Sequence, residues 1–375
     1  CRPDLPQIKK EVENGAILTS EIELLIEMCP GKVIGVTGSD GKTTTTSLIY
    51  EILKQNGYNC YLGGNIGIPL FTKLGEMNEK DIVVLELSSF QLMTMKVSPD
   101  ISVVTNISPN HLDIHKSYKE YIEAKKNIFK HQGEKGILVI NYDNEITKDF
   151  AKEANGKVIY FSKQKLDNGV ILDNDIIKIA DDGLRRHVIN TKNMIIRGVH
   201  NFENASAAIA ATKSLVDVEN AATSISKFKG VEHRLEFVRE INNIEWYNDS
   251  IASSPTRTIA GLNSFDERIV LIAGGYDKHL DYEPIAKPII ENVRALILMG
   301  QTAEKIEKAV MLELEEQNKK MSIYRVGSLE ESVKKANEVA QKGEVVLFSP
   351  ASASFDMFKN FAERGETFKK IVGEI

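Results

Sequence analysis

The sequence predicts an α/β protein with two open sheets in succession. The first is a central P-loop-type domain with a mostly parallel sheet plus an antiparallel patch; the second is a Rossmann-like C-terminal domain. Three observations carry this. β-Branched apolar runs alternate with helical stretches up to residue 141, the pattern of a parallel sheet. Short strand-like segments crowd residues 157–200 and break it. The strand–helix rhythm restarts after Lys229-Gly230.

Residues 1–30 are polar and short, and "GAILTSEIELLIEMCP" reads as a strand followed by a short helix. That is too little for a domain, and it reads as the end of one that began earlier. "KVIGVTG" ends in Gly and predicts a buried strand. Thr43 to Gly57 predicts a helix with Leu48, Ile49, Ile52 and Leu53 on one face and Gly57 stopping it. "DIVVLEL" (81–87), "ISVVTNI" (101–107) and "GILVIN" (136–141) predict buried strands, and 117–130 a helix. "KVIYFS", "GVILDND", "IIKIADDG" and "RRHVIN" predict the antiparallel patch, and "NFENASAAIAATKSLV" (201–216) an Ala-rich helix. The second sheet is predicted from "IEWYND", "RIVLIAGG", "VRALILMG", "SIYRVG" and "EVVLFSP". The expected domains are therefore 1–30, 31–229 and 230–375.

The 375 residues fit two or three domains, and 42% hydrophobic with 27% charged content is ordinary for a globular chain. A net charge of −6 argues against a nucleic-acid or anionic-membrane partner. No apolar run reaches the ~18 residues of a membrane span, and the first residues lack the apolar core of a signal peptide. Cys1, Cys29 and Cys60 are too scattered for a metal site or a disulfide framework, which points to reduced thiols in a cytoplasm.

"VIGVTGSDGKTTTT" (33–46) follows a strand and opens a helix, as a phosphate cradle requires. The commonest P-loop would place Gly at 36, where Val36 stands. Backbone N–H groups from Gly38 through Ser39, Asp40 and Gly41 to Thr43 would face the anion, with Lys42 neutralising charge and the Thr43 hydroxyl available to Mg²⁺. Strand, G-x-x-G-K-T and helix together read as a nucleotide site, the alternative being a Gly-rich strand-to-helix turn.

Glu86 lies near the carboxyl end of an otherwise apolar strand, the sheet edge where ligands bind. His111 follows the strand 101–107 at the same edge. His115, four residues on, invites a zinc reading, which the Pro and loop residues around it and the lack of a Glu-x-x between the histidines oppose. A His beside a nucleotide metal suits Mn²⁺ better than Mg²⁺. Lys125 lies four residues from both Tyr121 and Phe129, on an aromatic helix face. Either its amine reaches water, or it is desolvated, its pKa falls, and CO₂ can convert it to a carbamate anion. Asn201 reads as a helix N-cap; Asn204, one turn on, is left to face a ligand. Asp249, Lys278 and Ser354 each follow a strand of the second sheet, at its ligand-binding edge.

These segments resemble the Mur ligases, ATP-dependent amide-bond ligases of peptidoglycan precursor synthesis. The resemblance runs over 15–375, through "GVTGSDGKTTTT", "GGNIGIP", "LELSSFQL", "TNISPNHLD", "EAKKNIF", "HNFENASAA", "EHRLE", "YNDSIAS", "GGYDK" and "SPASASFDMFKNFAERG". In that family the loop reads G-T-x-G-K-[ST], so Val36 is expected. The resemblance implies that a carboxylate is activated by ATP as an acyl phosphate and captured by an amine, within a cytoplasmic monomer. It implies D-glutamate and UDP-N-acetylmuramoyl-L-alanine as substrates, with Mg²⁺ or Mn²⁺. It places Lys42, Thr43 and Thr44 at the phosphates; Thr43, Glu86, His111 and a carbamylated Lys125 at the metal; and Asn204, Arg234 and Asp249 at ATP. Asn65 and Ser88 fall to the nucleotide sugar; Ser253, Lys278, Ser354 and Phe361 to D-glutamate.

Two departures stand out. The usual Lys-Ala-Thr after Asn-Asp-Ser is here Ile251-Ala252-Ser253; Ser253 replaces a hydroxyl, but Ile251 does not replace a cation. The family's N-terminal uridine-binding domain is expected to be represented only by 1–30. Competing readings are a sister ligase adding another amino acid and a nucleotide-binding protein without ligase activity. The lack of an Asp-Asn-Pro-Arg motif opposes a diamino-acid ligase; the set Lys42, Glu86, His111 and Lys125 opposes a non-catalytic protein.

Overall fold

The computed structural model describes residues 5–108 and 115–375. Two compact units divide the chain: Cys1–Met194 with His200–Phe228, and Ile195–Val199 with Lys229–Ile375. The segment Ile195–Val199, inside the stretch expected from sequence to belong to the first domain, is thus part of the second unit. Arg197 holds it there through ion pairs to Glu245 and Glu267.

The first unit is built on a nine-stranded sheet. Its strands are β1 Lys32–Thr37, β2 Cys60–Gly64, β3 Ile82–Glu86, β4 Ile101–Val104, β5 Ile137–Asn141, β6 Lys157–Ser162, β7 Gly169–Asp173, β8 Ile176–Asp181 and β9 Leu184–Asn190. Their order is β2-β3-β1-β4-β5-β6-β7-β8-β9. β1 lies between β3 and β4 and is parallel to both, so the strand order reverses there. Ligands of open α/β sheets bind at such a switch point, beyond the carboxyl ends. The helix Lys42–Gln55 leaves β1 and buries Leu48, Ile49, Ile52 and Leu53, the face its sequence predicts.

Three sequence expectations need correction. No strand forms at residues 15–19; Ile17 is 86% exposed, and Ser20 instead caps the helix Glu21–Met28 by accepting from Glu23 N. The patch at 157–200 is only partly antiparallel, because β6 and β7 extend the parallel sheet and only β7–β8 and β8–β9 reverse. Asn201 is not an N-cap, because the helix begins earlier and runs Val199–Thr212.

The second unit has six strands: β10 Glu236–Ile241, β11 Ile244–Asn248, β12 Ile269–Ala273, β13 Val293–Leu298, β14 Ser322–Arg325 and β15 Val345–Phe348. Their order is β10-β11-β15-β12-β13-β14, parallel except for the β10–β11 hairpin. β10 was not foreseen. Its turn, Asn242-Asn243, has positive φ at both residues (53° and 63°), which Asn tolerates and a tight hairpin requires. β12 and β15 are apolar throughout and fully buried, with helices on both faces. This brings the carboxyl ends of β11, β12 and β15 side by side.

Candidate functional site

The loop after β1 is shaped by two glycines. Gly38 (φ 152°) lies where a Cβ would overlap the Thr105 hydroxyl, and Gly41 (φ 78°) where it would overlap Asn204 Oδ1. The residues after β4 clamp the loop. Ser39 N donates to Asn106 O at 2.8 Å, Asp40 N to Asn106 Oδ1 at 2.9 Å, and Thr105 Oγ1 to Asp40 O at 2.5 Å. The N–H groups of Ser39 and Asp40, expected to face an anion, are therefore directed to Asn106. The helix start, Gly41–Thr43, is the part of the loop left available to an anion, because first-turn N–H groups have no intrahelical acceptor. Thr43 is half-buried there and Thr44 buried.

Two amines meet at Gly38. Lys42 Nζ donates to Gly38 O at 3.0 Å and Ser39 O at 2.9 Å. Lys125 Nζ, from the helix Tyr118–Lys130, donates to Gly38 O at 2.8 Å and Thr37 Oγ1 at 3.2 Å, and sits 4.8 Å from the Tyr121 ring centroid. Its head is inside the protein, not in water: Lys125 is 2% exposed. Burial, and then the charge of Lys42, push its amine down to about 7, against the pull of Asp40 and Glu86. Lys126, the next residue, pairs with Glu123 and Glu153 instead. Tyr121 also hydrogen-bonds Ser39 Oγ at 2.8 Å, so the same helix face supports the loop.

Glu86 ends β3 in register with Val36 of β1 and is 2% exposed. Its Oε1 accepts from Asn65 Nδ2 at 2.8 Å; its Oε2 is buried with no hydrogen-bond partner among the described residues. A buried, half-satisfied carboxylate is a donor set suited to a hard divalent cation. His111 lies outside the described residues. His115 is buried; its Nε2 bonds Ser89 Oγ at 2.9 Å and its ring stacks on Phe90, the setting of a structural histidine. Ser88 caps the short helix Ser89–Leu92 in a reciprocal box with Gln91. Asn204, 6% exposed, accepts from Thr45 Oγ1 at 3.3 Å and lies against Gly41.

In the second unit Asp249 follows β11 and is buried. Its Oδ2 accepts from Ser349 Oγ at 2.7 Å and its Oδ1 from Leu235 N at 3.3 Å. Burial pushes its carboxyl up to about 7, although Ser349 and the charge of Arg234 oppose this. Arg234 itself is exposed. Lys278 is exposed and lies 5.5 Å from the Phe355 ring; Ser253 is half-buried, Ser354 buried, and Phe361 40% exposed at the start of the helix Phe361–Gly373. Sequence reasoning missed the Thr105–Asn106 clamp, although both residues lie in a quoted motif, and it missed Arg364. That residue has no local signal: an Arg on an amphipathic helix is ordinarily exposed, yet this one is 0% exposed.

A glycine-pinned phosphate loop at the switch point of one sheet, followed by a second open sheet with polar strand ends, defines a two-part α/β protein of the phosphate-loop class. The chain belongs to the Mur ligase family: residues 36–212 match the Mur ligase middle domain, and 233–352 the Mur ligase, glutamate ligase domain. A UDP-N-acetylmuramoylalanine–D-glutamate ligase from Acetivibrio thermocellus is 54% identical over all of this chain and 81% of that protein. Proteins of the same name from Ruminiclostridium cellulolyticum and Clostridium botulinum are 50% and 49% identical, with the same coverage. Among solved structures, the UDP-N-acetylmuramate-alanine ligase MurC from Thermotoga maritima aligns with all of this chain and 84% of its own (TM-score 0.65, 20% identity). MurF ligase from Thermotoga maritima in complex with ADP covers 94% of this chain and 82% of its own (TM-score 0.62, 21% identity). At such identities the likeness concerns the fold. Among the described residues no helix is long and apolar enough to cross a membrane.

Proposed function

We propose that the protein is an ATP-dependent ligase that joins D-glutamate to UDP-N-acetylmuramoyl-L-alanine in cytoplasmic peptidoglycan precursor synthesis, acting as a monomer. The observation that carries the reading is the loop Gly38–Thr43 with two amines at one carbonyl, in a chain 54% identical throughout to a ligase of that name. The relatives' name supplies the substrates; the geometry supplies the chemistry.

The alanyl carboxylate attacks the γ-phosphorus of ATP, the bond to the β-phosphate oxygen breaks, and ADP leaves with that electron pair. The amine of D-glutamate then attacks the acyl carbon, loses a proton, and expels phosphate to leave the amide. Little covalent chemistry falls to the protein; its task is positioning and charge neutralisation. Lys42 and the N-terminus of the helix Lys42–Gln55 offset the phosphate charge. Asn204 borders the loop at Gly41, while Arg234 and Asp249 take further parts of ATP. Glu86, Thr43, His111 and a carbamylated Lys125 would hold Mg²⁺ or Mn²⁺, which supplies further neutralisation at the transferring phosphoryl group. The desolvated amine of Lys125 supports this role, since only a neutral amine adds to CO₂. Asn65 and Ser88 address the nucleotide sugar; Ser253, Lys278, Ser354 and Phe361 address D-glutamate.

ADP release measured with UDP-N-acetylmuramoyl-L-alanine and a panel of amino acids tests the reading. Release that requires D-glutamate upholds it. Release driven by another amino acid overturns the substrate assignment, and nucleotide binding with no release overturns the ligase assignment.

A further inference from the structure

One residue anchors Glu86 twice. Asn65, the first residue after β2, donates from its backbone N to Glu86 O at 2.8 Å and from Nδ2 to Glu86 Oε1 at 2.8 Å. The strands bring this about, because β2 runs parallel to β3 with Gly64 in register with Glu86. The close approach also requires a glycine. At Gly64 (φ 95°) a Cβ would overlap Glu86 O, so only glycine lets the chain carry Asn65 over the end of β3.

A role at the nucleotide sugar leaves the bond from Asn65 to Glu86 unexplained. If that bond served only to stabilise a buried acid, both carboxylate oxygens would be paired, as buried polar atoms ordinarily are. Here Oε1 is paired, while Oε2, also buried, has no hydrogen-bond partner among the described residues. If Asn65 served only a ligand, its amide would be turned away from β3. Instead an exposed residue directs an N–H inward, to an acid that is 2% exposed. A carboxylate free to rotate offers either oxygen, or both together. With Oε1 held by the amide and the main chain held by the same residue, the group offers Oε2 alone. One oxygen per carboxylate suits Mg²⁺, whose octahedral shell tolerates little distortion. Side chains that hold a metal's carboxylate in this way govern metal affinity without touching the metal.

We propose that Asn65 is a positioning residue for the metal that accompanies ATP: it fixes Glu86 so that Oε2, and only Oε2, faces the cation. This rests on the reading of Glu86 as a metal-holding residue of the ligase above. Asn65 brings no charge of its own. Its Oδ1 and second N–H have no partner among the described residues, so the same side chain keeps groups to offer the nucleotide sugar.

The test is a Mn²⁺ titration of the full protein with a non-hydrolysable ATP analogue, followed by electron paramagnetic resonance. No nucleotide sugar or amino acid is present, so turnover plays no part. Wild type is compared with Asn65→Ala, Glu86→Gln and the double variant. Each single variant should weaken Mn²⁺ binding about tenfold or more. The double variant should bind within about twofold of E86Q, because Asn65 acts through the group already lost. Wild-type affinity in N65A, with E86Q weakened, would overturn the proposal and leave Glu86 at the metal. Wild-type affinity in E86Q would remove Glu86 from the metal, and the proposal with it. Losses that multiply in the double variant would also overturn it, since Asn65 would then act by another route. Affinity for the ATP analogue without metal should stay within about twofold of wild type in N65A; a parallel fall there would mean a distorted site rather than a misdirected carboxylate, and would sink the idea. If N65A does not fold, Asn65→Leu, similar in volume and lacking a donor, takes its place.

Discussion

Replacing Asp249 by Asn should make the second unit more stable at neutral and alkaline pH, and by an amount that depends on pH. The carboxyl is 4% exposed and is raised from 3.8 to about 7 by burial. For an acid raised in the folded state, stability is fully present below the unfolded value and is lost as pH climbs through the window from about 4 to about 7. Each decade of proton affinity is worth ~1.4 kcal/mol, so burying this carboxyl costs the fold on the order of 4 kcal/mol at pH 8, where it is ionised, and roughly 2 kcal/mol at pH 5, where folding must protonate it. The difference in unfolding free energy between D249N and wild type should therefore widen by about 2–3 kcal/mol from pH 5 to pH 8. Asn keeps the volume, and Ser349, which lies 2.7 Å from Oδ2, can accept from an amide as readily as it donates to a carboxylate. The assay is urea unfolding followed by the fluorescence of Trp246, the only Trp, which is fully buried on β11 and reports the unit that carries Asp249. A constant gap across that range would mean that Asp249 ionises as it does in water, and the burial argument would be wrong.

Other expectations concern the first unit. Gly41→Ala places a Cβ on Asn204 at a left-handed φ, a strain of about 1–2 kcal/mol; calorimetry should show ATP affinity down at least tenfold with the melting temperature shifted only slightly, and unchanged affinity would count against the loop. Lys125 should give a carbamate carbon signal in ¹³C-bicarbonate that Lys125→Ala lacks; a wild-type spectrum without it would mean that the amine does not react. Glu86→Gln keeps a carbonyl for the Asn65 amide, 2.8 Å from Oε1, yet removes the charge. It should raise the divalent-metal concentration needed for half-maximal ADP release by about 10- to 100-fold with the fold intact; an unaltered metal titration would exclude Glu86 from the metal.

Much of this was legible because the signals are local. A β-branched run, a glycine and a Lys-Thr pair specify strand, turn and helix start without reference to the rest of the chain, and Leu48, Ile49, Ile52 and Leu53 declare their face by spacing alone. Lys125 was legible as one of two states, and burial chose between them. What escaped depends on distant partners. Ser39 and Asp40 lose their N–H groups to Asn106, more than 60 residues away, and no loop pattern records that. β6 joins the parallel sheet because β5 offers it an edge, although its composition matches the antiparallel strands that follow. Arg364 reads as a surface residue until the segments after β11 and β15 close over it.

The shortened loop brings two lysines to one carbonyl. Val36, where the longer motif has Gly, is a fully buried β1 residue paired with Val103 as well as Glu86, so the turn cannot begin there. It is confined to Gly38–Gly41, and the compressed backbone directs the Gly38 carbonyl at both Lys42 and Lys125. A loop this short, with Ser39 and Asp40 tied to Asn106, has fewer N–H groups to offer a phosphate than a longer cradle has. The helix Tyr118–Lys130 brings a second amine to the same carbonyl. The same geometry stops both amines from being fully charged, because two cations there repel and one is buried. Lys125, the more deeply buried of the two, is the amine able to change its chemistry. Exchanging the two environments, by Tyr121→Ala to open Lys125 to water, should abolish the ¹³C carbamate signal while ATP affinity stays within about threefold; a persisting signal would show that burial is not what makes Lys125 reactive.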